Sequence, residues 1–198
     1  MTWREQLVAY IRQEARPVEK FSHQPRLYAL ARQIAAGTYA DDDVLFAAIY
    51  LHDLGVFVGH RPEDPEQLAR WDNTAYAMQQ APAVLQRIGF PQEKVARVVE
   101  CIAHHQPHAE PESLEATILR DADILEQLGA VAVLRTVCKV GRDTRFHTFA
   151  GAIGSLNRAL NTLPQQIRTD RARELAAPRI EVLRSFLKAA QQESGGEL

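Results

Sequence analysis

The chain has 198 residues, 46% hydrophobic and 24% charged, with a formal net charge of -2. This is the balance of an ordinary globule, which excludes a disordered or fibrous chain, and it lacks the basic excess of a duplex-binding protein. The longest apolar run, Val44 to Leu51, is less than half of what a bilayer span needs. No membrane partner is expected, nucleic acid is disfavoured, and the mixed-charge start Met1-Thr2-Trp3-Arg4-Glu5 lacks the order of a signal peptide, so the expected compartment is the cytoplasm.

Apolar residues recur at helical spacing along the whole chain, and no strand-like alternation of useful length occurs, so the predicted fold is all-α. A first helix is expected over about residues 3–15, and a second from Ser22 through Leu27, Leu30, Ala31 and Ile34 to a stop at Gly37. The third begins in the Asp41-Asp42-Asp43 cluster, whose carboxylates suit free N–H groups, and runs to Gly55, with His52 and Asp53 in its last turn. After a loop from Val56 to Pro65 comes a long helical stretch that Pro82 should break or kink. Pro91 suits the first turn of the next helix, which carries His105 on the face of Val98 and Ile102. A further helix spans about Pro111 to Leu128 and stops at Gly129. More helix follows from Ala130 to about Glu193, with breaks near Gly141 and Pro164. No repeat or linker divides the chain, so one domain is expected, with a core over about residues 20–140 and a helical extension over about 141–193. Cys101 and Cys138 lie far from any CxxC spacing and read as buried free thiols.

The chemistry concentrates in a few residues. His52 and Asp53 offer the nitrogen and oxygen donors that suit a divalent metal, and they follow an apolar run, at a helix end sunk into the core. His23 opens the second helix, His105 falls on an apolar face, and Asp121 and Asp123 sit in the apolar sequence Ile118 to Leu125, where acids need partners. Read singly, each has an ordinary explanation as a cap, a core histidine or a salt-bridged acid; together they favour a metal site. Periodicity turns Asp121, rather than Asp123, toward the apolar face that includes Leu114 and Leu125.

His23 with Arg26 and Leu27, then Ala48-Ile49-Tyr50-Leu51-His52-Asp53-Leu54-Gly55, then Asp121-Ala122-Asp123-Ile124-Leu125-Glu126, resembles the H…HD…D signature of the HD-domain metal-dependent phosphohydrolases. The likeness extends to Ile102-Ala103-His104-His105, to the segment from Gly129 to Arg135, and to Arg173, Leu175, Ala176, Arg179 and Phe186, and is strongest for small stand-alone bacterial HD hydrolases. It implies a helical HD bundle with additional C-terminal helices, and metal ligation by His23, His52, Asp53 and Asp123. Asp123 matches the Asp of the superfamily's A-D-x-L unit, which leaves Asp121 beside the ligands or, on periodicity, as the ligand itself.

What the resemblance implies is hydrolysis of a small-molecule phosphate ester, a nucleotide first among them, by a nucleoside triphosphate pyrophosphohydrolase or nucleotidase-like reaction through a metal-activated water. Manganese is the favoured ion, with iron, cobalt, nickel, magnesium and zinc also compatible with His and carboxylate donors. Asp121 or His105 would move the proton, and Arg26 and Arg135 would neutralise phosphate charge. The alternative is a non-catalytic HD module that binds a nucleotide or a protein partner around a structural metal. The apolar faces beyond Pro164 suit either the core or a second subunit, which leaves an oligomer open.

Two departures from the family pattern bear on substrate. No acid follows the HD pair in Leu54 to Val58, and Leu68 to Asn73 lacks the histidine common there, with His60 as a weak substitute. His108 and His147 are expected at the surface. Arg61, Lys139 and Arg142 are basic residues more often solvated than bound to phosphate.

Overall fold

A computed structural model describes residues 1–141 and 147–195. Among these residues the chain forms ten α-helices and no strand, as the periodicity predicts. It divides into two compact units, one ending at Arg120 and the other beginning at Asp121.

The first unit is built around its third helix. Helix α1 (Trp3–Glu14) starts at a capping box in which the Thr2 hydroxyl accepts from the Glu5 N–H while the Glu5 carboxylate accepts from the Thr2 N–H. A 3₁₀ turn (Val18–Ser22) leads into α2 (His23–Ala35). Helix α3 (Asp42–Leu51) is buried from Val44 through Leu51, on every side, which only a helix surrounded by partners tolerates. It packs against α1, α2 and α6 (Val95–Ala103), and α6 packs in turn on α5 (Asn73–Arg87).

Several boundaries differ from the sequence reading. Helix α3 stops at Leu51 rather than Gly55: His52 is its C-cap, and Asp53 begins a 3₁₀ turn (Leu54–Val56). The break in the next stretch falls at Arg70 to Asp72, between α4 (Pro65–Ala69) and α5, because Asp72 caps α5 by accepting from the Ala75 N–H at 2.9 Å. Pro82 sits inside α5 without ending it; it lies on the exposed side, and burial of Ala77, Ala81, Val84 and Leu85 outweighs the roughly 3 kcal/mol cost of an interior proline. Pro91 opens a 3₁₀ turn (Gln92–Lys94) instead of α6 itself.

Asp41 ties the unit's polar rim together. Its carboxylate caps α3 and pairs with Lys94 at 3.0 Å and Arg97 at 3.0 Å, while Asp43 pairs with Arg4 at 2.7 Å and Lys94 at 3.0 Å. For Asp41, partial burial pushes the carboxyl up, but the Lys94 ammonium and the Val44 and Asp43 N–H groups outweigh it and hold the acid below its ordinary value of 3.8. Arg4, then Lys94, hold Asp43 below that value too. A depressed folded-state pKa gives stability that is present above the unfolded value and is lost as pH falls through the folded one. The wild type should therefore lose more melting temperature between pH 4 and pH 2 than Asp41→Asn, which keeps a capping oxygen but cannot titrate. Parallel thermal scans of the two proteins check this, and equal acid limbs would remove Asp41 from the account.

Helix α7 (Leu114–Glu126) contains the boundary between the units. The second unit continues with α8 (Ala130–Val137), α9 (Phe149–Thr162) and α10 (Asp170–Glu193), which pack on one another. Gly129 turns the chain after α7 at φ 85°, and a Cβ there would meet Arg179 of α10 at 3.1 Å. Arg179 donates to the Leu125 carbonyl at 3.1 Å, closing the C-terminal end of α7.

Both cysteines are free, as expected, but only Cys101 is buried; Cys138 is exposed at the end of α8. Burial pushes the Cys101 thiol up and keeps it protonated.

Candidate metal centre

Three donors meet in the first unit. His23 begins α2, His52 caps α3 and Asp53 follows it, and one ligand atom from each lies within 4.8 Å of the others. The Asp53 Oδ2 atom is 3.6 Å from Nε2 of His23 and 3.6 Å from Nε2 of His52. Both histidines are buried, with the carboxylate side chain 23% exposed between them.

The end of α3 at Leu51 makes this possible. Adjacent helical residues point about 100° apart, so His52 and Asp53 could not converge from within one helix. Asp53 instead takes φ -98° and ψ 13°, a tight-turn conformation common at active sites, and its carbonyl accepts from the Val56 N–H at 2.9 Å.

The donor chemistry fits a divalent cation. His52 Nδ1 lies 2.8 Å from the Ile49 carbonyl, which can only accept, so the proton sits on Nδ1 and the Nε2 lone pair faces the carboxylate. A lone pair and a carboxylate oxygen repel unless a cation or proton lies between them. Two ligands each about 2.0–2.2 Å from one ion lie roughly 3–3.7 Å apart, the range of both His–Asp separations. The Ile49 carbonyl also supplies the outer support that orients a ligating imidazole.

His105 stands beside this group. Helix α6 ends at Ala103, so His105 lies past its end rather than on its face, yet it is buried as expected. Its Nδ1 is 2.6 Å from the Ile102 carbonyl, its ring centroid is 5.0 Å from that of His52, and the His23 and His52 centroids are 5.4 Å apart. The Gln106 amide lies 3.0 Å from His105 Nε2. Sequence reasoning missed Arg120, which donates from Nε to the Pro107 carbonyl at 3.1 Å and so holds the segment after His105. A buried arginine among apolar neighbours was the available signal, since such a charge always needs acceptors.

The other residues singled out in the sequence make contacts of their own. Asp121, fully buried in the second unit, accepts from the N–H groups of Arg168 at 3.1 Å and Thr169 at 2.8 Å and from the Thr169 hydroxyl at 2.8 Å. Thr169 is the N-cap of α10, so this carboxylate anchors the start of that helix. Asp123 is half-buried and accepts from the Gln127 amide at 3.2 Å. Arg26 is half-buried on α2, one turn after His23. Arg135 pairs with the buried Glu126 at 3.1 Å.

His60 Nε2 donates to Glu14 at 2.8 Å, which leaves Nδ1 to accept from the Tyr76 hydroxyl at 2.9 Å. His108 and His147 are exposed, as expected, and Arg61 and Lys139 are half-buried. Arg142 lies outside the described residues.

Comparison with known proteins agrees with the fold. The family model for the HD domain matches residues 21–128, more than half of the chain, and the chain belongs to that family. Among solved structures it is similar to YpgQ of Bacillus subtilis, with 23% identity, TM-score 0.73, and coverage of 96% of this chain and 95% of that one. A structure of YpgQ in complex with ADP gives 23% identity and TM-score 0.71, covering 96% of this chain and 94% of that one. A predicted HD superfamily hydrolase from an uncultured Thermotogales bacterium gives 24% identity and TM-score 0.66, covering 96% and 91%. No curated protein matches the chain. Among the described residues no helix is long and apolar enough to cross a membrane.

Proposed function

We propose that this chain is a divalent-metal-dependent phosphohydrolase acting on a nucleotide, with manganese as its favoured ion. The observation that carries the reading is the convergence of His23, His52 and Asp53 within 4.8 Å, with the His52 tautomer set by Ile49. Asp123 is proposed as a further ligand from its place in the H…HD…D order. When bound, the ion supplies Lewis-acid polarisation of a phosphoryl oxygen and lowers the pKa of attacking water.

The chain's own residues supply the rest. His105 carries its Nδ1 proton toward the Ile102 carbonyl and keeps Nε2 basic, so it can take a proton from water beside the ligand group. The Gln106 amide, donating to that same Nε2 at 3.0 Å, orients the ring in the absence of substrate. Asp121, engaged by Arg168 and Thr169, anchors α10 and would have to exchange those partners to take a proton. Arg26, one turn from His23, is the first choice to meet phosphate. Arg135 would have to exchange its pairing with Glu126 to do the same. The ADP bound by YpgQ, a protein of similar fold, supports a nucleotide as substrate.

The test is phosphate and pyrophosphate release from nucleoside mono-, di- and triphosphates, after chelation and reloading with manganese, magnesium, cobalt or zinc. Release that needs the ion is expected, and the product names the bond broken. A protein that binds one ion yet cleaves no phosphate ester with any of the four would instead be a binding module with a structural metal.

A further inference from the structure

The turn that presents Asp53 is held by a residue outside the ligand set. Asp53 belongs to no α-helix, so its carboxylate direction depends on how the following turn, Leu54 to Val56, is fixed. That turn is gripped on both sides. The Trp71 indole N–H donates to the Gly55 carbonyl at 2.8 Å, and Lys20 Nζ donates to the Val56 carbonyl at 2.8 Å.

A second observation shows how closely the Trp71 side approaches. A Cβ on Gly55 would lie 2.7 Å from the Asn73 carbonyl oxygen and 2.9 Å from its Cα. Gly55 is therefore glycine because the start of α5 lies directly against the turn, and Trp71 stands two residues before Asn73. The indole is itself braced by Tyr76, 5.2 Å away between centroids, whose hydroxyl meets His60 at 2.9 Å.

We propose that Trp71 is a positioning residue for metal binding, holding the Asp53 turn through the Gly55 carbonyl so that the carboxylate meets His23 and His52. This rests on the reading of His23, His52 and Asp53 as metal ligands. Groups that orient a ligand from outside are commonly worth ten- to a hundredfold in metal affinity, and the lower end is expected for one acting through a backbone carbonyl.

Two single-tryptophan proteins test it, since the chain has two tryptophans, Trp3 and Trp71. Trp71→Phe keeps an aromatic ring and loses the N–H. Its manganese affinity by calorimetry should fall about tenfold, and its turnover at saturating manganese should stay within about twofold of wild type. Trp3→Phe, altered where Trp3 packs on Phe46 and Phe90, should keep wild-type affinity, and its Trp71 emission should change on titration with zinc.

Wild-type manganese affinity in folded Trp71→Phe overturns the proposal, whether or not its melting temperature drops. If that variant fails to fold, the Trp3→Phe titration decides, and a flat emission trace overturns it. Asp53→Ala separates the two layers: binding lost there but unchanged in Trp71→Phe rejects only the positioning role. A wild type that binds neither ion rejects the metal site and the positioning role together.

Discussion

Asp53→Ala is expected to abolish binding of the ion and to lower metal-dependent phosphate release by about a thousandfold or more, with the helical fold intact. Two arguments set this scale. Lewis-acid stabilisation of a phosphoryl transition state is worth several kcal/mol, and each 1.36 kcal/mol is tenfold in rate. Asp53 also faces both histidines, so its loss removes an anion that the two rings share. The fold should survive because the side chain is partly exposed and its removal opens no large cavity. His52→Ala is a poorer probe, since that ring is 1% exposed and packs against His23 and His105. Calorimetry with manganese, circular dichroism and phosphate release together check the expectation. Full activity in a folded Asp53→Ala protein would place the chemistry elsewhere.

The elements that carry this site were legible in unequal degree. The run Val44 to Leu51 announced a helix end sunk into the core, and the HD pair behind it announced donors there, because apolar runs and metal-type donor side chains both leave local marks. What stayed hidden was the exit from α3. Gly55 reads as a helix stop, but its φ is not positive, and its lack of a side chain serves the approach of Asn73, eighteen residues downstream. No local pattern encodes that contact. The Arg70 to Asp72 break had a local signal, an aspartate three residues before Ala75, which Pro82 outshone as the more familiar breaker. His105 was assigned to a helix that ends two residues earlier, yet its inward direction was correct because the chain turns back on the Ile102 carbonyl.

The two acids of α7 divide along the same line, and they give the second large prediction. Periodicity alone turned Asp121 inward, and Asp121 is indeed fully buried while Asp123 is half-exposed. Periodicity could not say what the inward carboxylate meets, because Arg168 and Thr169 lie 47 and 48 positions further on. Resemblance, in contrast, selected Asp123 as the ligand. The two roles make opposite demands, so one pair of variants separates them.

Asp121→Ala strips the acceptor from two N–H groups and a hydroxyl at the start of α10. Hydrogen bonds to charged groups are worth about 1.5–3 kcal/mol each, and removing only the acceptor leaves the buried donors with their full desolvation cost, about 1–3 kcal/mol apiece. A net loss of about 3 kcal/mol or more is expected, roughly 6–12 °C in Tm for a chain of this size, with faster hydrogen exchange in the first turn of α10. Metal affinity of the protein that remains folded should be close to wild type. Asp123→Ala should do the reverse: a Tm shift within about 0.5 kcal/mol in metal-free protein, and manganese affinity lower by at least tenfold. The scans must be run without metal, since an ion that binds only the folded state would add its own stabilisation and blur the contrast. If Asp121→Ala instead keeps its Tm and loses the ion, the ligand is Asp121, and the helical periodicity of α7 was the better guide to its chemistry.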